Sequence, residues 1–240
     1  MQDLGVFHSL GALWLRVLNE LENNGAETVY TDNAGESAEV KELLYLTAEV
    51  QDAALPDVII EKHKVQAEYD WMVRNFTVQE EVPELHYENS YASRLYAYMG
   101  QKNQVEWLVE RLKSNPAARS ATITMFEPLT DEGYIPCVSL LDFQKTDGKL
   151  DMTAYCRALD FGCKAYVNLV MLHLIQKEIA EKAGIPCGKL ILIVKSAHFY
   201  LRDREKVLAI IDNRSAECDY RVTKAQLQLA ELPRIPLSLS

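Results

Sequence analysis

The chain reads as an α+β domain in which an antiparallel or mixed sheet packs on one long buried helix. Three observations predict this. Residues 121–126 alternate threonine with apolar side chains, the period of a half-buried strand. Residues 138–144 and 149–156 are two further strand-like runs, and Thr146, Asp147 and Gly148 between them form a hairpin signal. Residues 166–183 are apolar over about five helical turns, with a polar face of Gln176, Lys177, Glu178, Glu181 and Lys182. Pro186 and Gly188 close that helix, so it is central and largely buried.

The remaining elements follow from the same two periods. Residues 7–21 place apolar side chains at helical spacing and stop near Asn23, Asn24 and Gly25. Residues 38–50 are expected to form a second helix, carrying Glu42 beside the run Leu43, Leu44, Tyr45 and Leu46. Residues 105–112 form a third, closed by Ser114, Asn115 and Pro116, and residues 190–194 are a buried strand. After Asp203 the pattern alternates without a clear period. With no repeat, low-complexity tract or linker, all 240 residues are expected to form one domain.

Composition narrows the functional classes. A hydrophobic fraction of 48% and a charged fraction of 25% are those of a globular protein. The net charge of -10 and a pI near 5.1 argue against a nucleic-acid polymer as partner, because phosphate backbones need clustered lysine and arginine. A few local arginines can still hold one small phosphate. The apolar runs are too short to span a bilayer, and the start lacks the basic lead and cleavage site of a secretory signal. Five irregularly spaced cysteines contain no CxxC pair, which speaks against a disulfide framework or a zinc ribbon. The expected setting is the cytoplasm, with no membrane partner and no metal.

Taken singly, the polar residues of interest decide little. Cys137 follows Ile135 and Pro136 at the mouth of a strand, where a cysteine is more often a small buried hydrophobe than a nucleophile. His198, Arg157 and Glu42 have equally ordinary readings as a core histidine, a surface ion-pair partner and a solvated carboxylate.

Taken in order, they resemble the thymidylate synthase superfamily. IPCVSLLDFQKTDGKLDMTAYCRALDFGCKAYVN resembles that family's catalytic cysteine strand, its hairpin and the strand that ends in an Arg-Ser-x-Asp motif. KLILIVKSAHFYLRD resembles the strand ending in its His-x-Tyr. KSNPAARSATITMFEP resembles its arginine pair, NSYASRLY its active-site tyrosine segment, and VKELLYL the helix bearing its glutamate. The match is continuous from Lys113 to Asp203 and patchier before it.

The resemblance implies a thymidylate synthase-like fold that dimerises through its sheet, and an enzyme using 5,10-methylenetetrahydrofolate on a pyrimidine nucleoside monophosphate. By resemblance, the thiolate of Cys137 adds to C6 of the ring and makes C5 nucleophilic. Arg157 contacts phosphate, and Arg119 reaches the phosphate of the partner subunit in a homodimer. Asn168 reads the base edge, His198 and Tyr200 bind the sugar 3'-hydroxyl, and Asp160 bonds the pterin. Glu42 organises water and proton transfer, and Tyr91 assists proton removal at C5.

Several positions depart from the family pattern. Val138 replaces a histidine directly after the cysteine, and Asp142 and Cys156 replace glutamines. Ser120 replaces the second arginine, and Ala158 replaces the serine of Arg-Ser. The phosphate grip is therefore thinner by about two charge-assisted contacts. The expected reaction is hydroxymethylation at C5, of CMP or a related nucleotide. The alternatives are methylation of UMP or dUMP and a non-catalytic nucleotide-binding homologue; Cys137, Arg157, Asn168, His198 and Glu42 occurring together oppose the last.

Overall fold

The computed structural model describes residues 2–31, 35–80, 82–85, 88–132 and 135–215. Its elements run β1 (Gln2–Phe7), α1 (Leu10–Asn24), β2 (Ala26–Thr31), β3 (Ser37–Val50), α2 (Val58–His63), α3 (Gln66–Thr77), α4 (Tyr91–Tyr96) and α5 (Gln104–Ser114). There follow β4 (Ala121–Thr124), β5 (Val138–Thr146), β6 (Lys149–Cys156), β7 (Leu159–Asp160), α6 (Ala165–Ala183), β8 (Cys187–Tyr200) and α7 (Arg204–Ser215).

The strands form one mixed sheet in the order β1-β3-β8-β6-β5-β4, with β2 added to β3 and β7 to β8. β3 and β8 pair antiparallel from Val40↔Tyr200 to Val50↔Leu190, while β6 and β7 both run parallel to β8. The β5–β6 hairpin turns at Asp147 and Gly148, whose φ values of 51° and 83° are the positive pair that a tight hairpin requires. The expected strands and hairpin are therefore present, and β8 is longer than its apolar core of residues 190–194.

One expected element is overturned. Residues 38–50 are not a helix; they are β3, the strand that joins β8 to β1 and β2. The run Leu43, Leu44, Tyr45 and Leu46 has no clean period, and backbone pairing along both edges of the strand decides its conformation. Its second half shows strand alternation, with Leu46, Ala48 and Val50 buried and Thr47 and Glu49 half-buried. Tyr45 has φ 58°, which no α-helix accommodates.

α6 is the expected central helix, with Leu169, Leu172, Ile175 and Ile179 all nearly or fully buried. Gly184 ends it at φ 69°, the left-handed cap for which glycine is suited, so the stop precedes Pro186. Gln176 does not lie on a solvated face as the pattern suggested. It is 0% exposed and donates to the carbonyls of Leu150 and Lys189, tying α6 to β6 and β8. The ambiguous stretch after Asp203 forms α7, which packs against α1.

Two polar anchors fix the periphery. Asp57 caps α2 through the amides of Ile59 and Ile60, and also accepts from Gly11 and from the hydroxyl of Ser9. A Cβ at position 11 would lie 2.4 Å from the Asp57 carboxylate, so this approach of α1 to α2 demands glycine. The second anchor joins α4 to residues 125–131. Arg94 pairs with Asp131 through two bonds of 2.7 and 2.8 Å, and also donates to the carbonyl of Met125. Glu127 lies 3.6 Å from the same guanidinium, and the side chains of Arg94 and Asp131 are each 1% exposed.

Breaking one side of such a buried pair leaves an uncompensated charge. Asp131→Ala should lower stability by about 3–5 kcal/mol, read as a lower urea midpoint at unchanged slope. A midpoint equal to the parent's would mean that Glu127 alone compensates Arg94.

Candidate functional site

The site grows from the central strand. β6 leaves β8 after Cys156↔Val194, and β7 rejoins it at Leu159↔Ala197. Arg157 and Ala158 span the gap. Arg157 uses it to fold its guanidinium onto the carbonyls of Ile135 and Pro136, while its amide donates to the carbonyl of Cys137 at 2.9 Å. The thiol-bearing residue and the arginine are thus held side by side, with no acidic partner on Arg157 among the described residues.

Tyr91 opens α4, and its phenolic oxygen accepts from the amide of Val138 at 2.9 Å, the residue directly after Cys137. Stacking on Phe76 at 4.4 Å fixes the ring. Cys137 is half-buried. Burial pushes the thiols of Cys156 and Cys187 up, and that of Cys163 to about 12. Those three are poor nucleophiles near neutrality, and Cys218 lies outside the described residues.

Across the strands, Glu42 of β3, His198 of β8 and Asp160 of β7 stand in one lateral row, paired Glu42↔His198 and Asp160↔His198. Glu42 therefore comes to the site on a strand, not on the helix expected for it. Its carboxylate accepts from the Ser196 hydroxyl at 2.5 Å. Burial drives the imidazole of His198 down to about 4; Lys164 and Arg157 act in the same direction, while the Ser196 carbonyl and Glu42 oppose. His198 is neutral at pH 7. Burial, reinforced by Asp203, raises Asp160 to about 6 against Lys164, Lys206 and the Gly162 amide. Tyr200 meets the His198 ring edge-on at 5.5 Å, and Arg202 covers its face at 4.4 Å.

Asn168 lies in the first turn of α6 and is 3% exposed. Its Nδ2 donates to the carbonyl of Lys164 at 3.1 Å, while Oδ1 is buried without a hydrogen-bond partner. A buried polar atom without a partner is costly, and a ligand that donates to it removes the cost.

Arg119 is the one sequence-derived residue not brought to this group. It is exposed, two residues before Ala121, which pairs with Phe143 six residues along β5 from Cys137. At the rise of a strand that separation is roughly 20 Å.

The structure adds residues that sequence reading passed over. α3 packs against α6, and its Glu68 accepts from Tyr166 at 3.2 Å and from Lys206 at 3.1 Å. The apolar spacing of Tyr69, Met72 and Phe76 is the signal that could have revealed this helix. Lys164, 5.9 Å from the Trp71 ring, and Arg202 are two more cations beside the row. Among the described residues no group of histidine, cysteine and carboxylates is placed to hold a metal ion, and no helix is long and apolar enough to cross a membrane.

Comparison with known proteins agrees with this geometry. The family model described as Thymidylate synthase matches residues 38–233. A protein of Methanosarcina mazei named "Putative thymidylate synthase" is 29% identical over 204 residues, spanning 82% of this chain and 89% of its own. One of the same name from Methanopyrus kandleri is 30% identical over 178 residues, spanning 70% and 81%. The solved structure of the thermostable thymidylate synthase A of Bacillus subtilis superposes with a TM-score of 0.67 at 19% identity, covering 85% of this chain and 84% of the other. The fold is that of a thymidylate synthase.

Two histidines held low by desolvation make the molecule acid-sensitive. His173 on α6 is also held near 4, chiefly by burial. The unfolded chain takes up both protons from about pH 6.5 downward and the folded chain only near 4, so stability falls as pH drops through this window. Asp160 acts oppositely between about 6 and 3.8, while His63, also lowered by burial, acts with the other two histidines. The denaturant midpoint should decline from pH 6.5 to 4.5, and less steeply in His173→Asn. A flat profile in the parent would show that the histidines titrate normally.

Proposed function

Because the chain belongs to the thymidylate synthase family, we propose that it carries out one-carbon transfer to C5 of a pyrimidine nucleoside monophosphate through Cys137, with hydroxymethylation of CMP as the outcome. Members of the family are one-carbon transferases acting on pyrimidines. Methylenetetrahydrofolate is the family's donor and supplies the one-carbon unit when bound.

The buried Oδ1 of Asn168 is the observation that carries this reading. With Nδ2 engaged by the Lys164 carbonyl, the side chain offers an acceptor to the base, which the exocyclic amine of cytosine or the N3–H of uracil can meet. Around it the other residues take the roles their positions support. The thiolate of Cys137 forms a bond to C6, and the ring's C5=C6 electrons move toward the carbonyl side, leaving C5 nucleophilic. Tyr91, anchored beside Cys137, serves the proton that leaves C5 before the thiolate is expelled. Arg157 binds phosphate, and neutral His198 with Tyr200 holds the sugar 3'-hydroxyl.

Asp160 suits the folate, because a nearly buried carboxylate with one backbone donor from Gly162 welcomes the N–H groups of a pterin. Glu68, carried on a helix against α6, takes the water-organising role first expected of Glu42. Of the departures from the family, Val138 and Cys156 adjoin Cys137 and are both 0% exposed. They put apolar or weakly polar groups where polar side chains would hold ordered water, and release of that control favours water as the final nucleophile. Asp142 and Ser120 lie farther along the sheet, bonded to Thr122 and Arg111. Methylation is the second reading, favoured by the names of the archaeal relatives.

Incubation with methylenetetrahydrofolate and CMP, UMP, dCMP or dUMP, followed by mass spectrometry, separates the two. Hydroxymethyl-CMP is expected; a methylated product accompanied by dihydrofolate would establish the second reading. Cys137→Ala should lose turnover by at least about 10⁴-fold while remaining folded, since thiolate addition has no substitute. Turnover surviving in that variant would overturn the assignment.

The position of Arg119 supports a homodimer through the sheet with shared sites, because within one chain this guanidinium lies far from Cys137. Mixing inactive Cys137→Ala with inactive Arg119→Ala subunits should restore part of the activity, up to about a quarter for random exchange with one complete site per heterodimer. No recovery after demonstrated exchange would exclude a shared site.

A further inference from the structure

We propose that Arg111 of α5 supplies the second phosphate-binding guanidinium that position 120 lacks, so that Arg111 and Arg119 together grip the nucleotide phosphate of the neighbouring subunit. The inference rests on the reading above, in which Arg119 serves that phosphate across a homodimer. It begins with Ser120, one of the departures from the family pattern. The Ser120 hydroxyl accepts from Nε of Arg111 at 3.1 Å and also from one of its terminal nitrogens. A cation is therefore held at position 120 although the residue there is neutral. The chain arranges this locally. α5 ends at Ser114, the Ala118 amide bonds to the Asn115 carbonyl, and the turn brings residue 120 back beside the last turn of the helix.

The sheet register gives Ser120 its direction. Thr122, two residues on, pairs with Asp142, and Leu140, two residues from Asp142, pairs with Tyr155. Alternation along the strands puts these side chains on one face, opposite the buried Ala121 and Ile123. Ser120 continues that alternation, so the Arg111 guanidinium is drawn toward the sheet face through which a homodimer would pair. Its charge is unspent there. A hydroxyl is a neutral acceptor, and among the described residues neither Arg111 nor Arg119 is paired with a carboxylate. Glu110 is paired with Lys113, and Asp142 accepts from the Thr122 hydroxyl. Trp107, one turn earlier on α5, steadies the group, with the Arg111 guanidinium 5.6 Å and the Lys102 ammonium 4.4 Å from its ring centroid. In a chain of net charge -10 these cations make a local positive edge that suits a phosphate.

The test is steady-state kinetics with the nucleotide that turns over, CMP by the reading above, and inorganic phosphate as a competing anion. Arg111→Ala should raise KM for the nucleotide about tenfold, as loss of one charge-assisted bond does, with kcat within about twofold. The inhibition constant of inorganic phosphate should rise by a similar factor, while KM for methylenetetrahydrofolate stays within about twofold. Adding Ser120→Arg to Arg111→Ala returns a guanidinium to position 120 and should recover most of the loss. A role confined to tying α5 to β4 would lower the urea midpoint and leave both constants alone. Parental constants in folded Arg111→Ala, or a loss that Ser120→Arg does not repair, overturn the inference. Arg119→Ala is the control. If it loses turnover and Arg111→Ala keeps the parent's KM, this inference alone fails. If Arg119→Ala leaves turnover intact, the shared-site reading fails with it.

Discussion

The antiparallel pairing of β3 with β8 is the constraint on which the site depends. It runs from Val40↔Tyr200 to Val50↔Leu190, and its register puts Glu42 opposite His198. A slip of one residue would turn His198 from the site toward the opposite face, because side chains alternate along a strand. β7 is two residues long and could not hold a position by itself. It is fixed by pairing with β8, by the bond from the Phe161 amide to the His198 carbonyl at 2.7 Å, and by Trp14 of α1, which donates to the Phe161 carbonyl. Asp160 owes its place in the row to those three contacts.

The break between β6 and β7 has a corresponding importance on the other side of β8. A continuous strand would keep Arg157 paired with β8; the two residues without a β8 partner leave its guanidinium on the carbonyls of the segment before Cys137. The sheet is therefore regular where it buries Leu190, Leu192 and Val194 and irregular where the candidate site lies. An acidic protein builds a local cationic site in the same way. Arg157, Lys164 and Arg202 gather beside the row, while Lys189 and Arg204 elsewhere are paired with Glu49 and Glu22, and Lys206, near Asp160, is paired with Glu68.

How far the sequence could be read follows from which forces are local. Asp147-Gly148 announced its hairpin because a tight turn is decided by the φ preferences of its own residues. α6 announced itself because a long apolar run bounded by breakers has few alternatives. Residues 38–50 misled because Leu43, Leu44, Tyr45 and Leu46 fit either period, and the deciding partner, β8, lies 140 to 160 residues away in the chain. Gln176 misled for a similar reason: a polar residue on a helix is normally solvated, and only the sheet supplies the Leu150 and Lys189 carbonyls that satisfy it. The residues of the second half proposed for the site, Cys137, Arg157, Asn168 and His198, were picked out by their ordered motifs. Glu68, which the proposed function adds to them, lies on a helix where the resemblance was patchy.

The location of Arg119 carries the last step. Cys137 stands at the start of β5, whereas Arg119 precedes β4, whose first residue pairs near the far end of β5. Antiparallel pairing makes this separation unavoidable within one chain, however the side chain turns. A two-fold packing of two sheets face to face removes it, because such an axis can bring the far end of one β5 over the near end of the other. On the sheet face away from α6, Leu140, Tyr155 and Ile193 adjoin one another through Leu140↔Tyr155 and Tyr155↔Ile193 and remain half-buried. The separation that denies Arg119 to its own thiol is thus the one that sheet-to-sheet pairing would close.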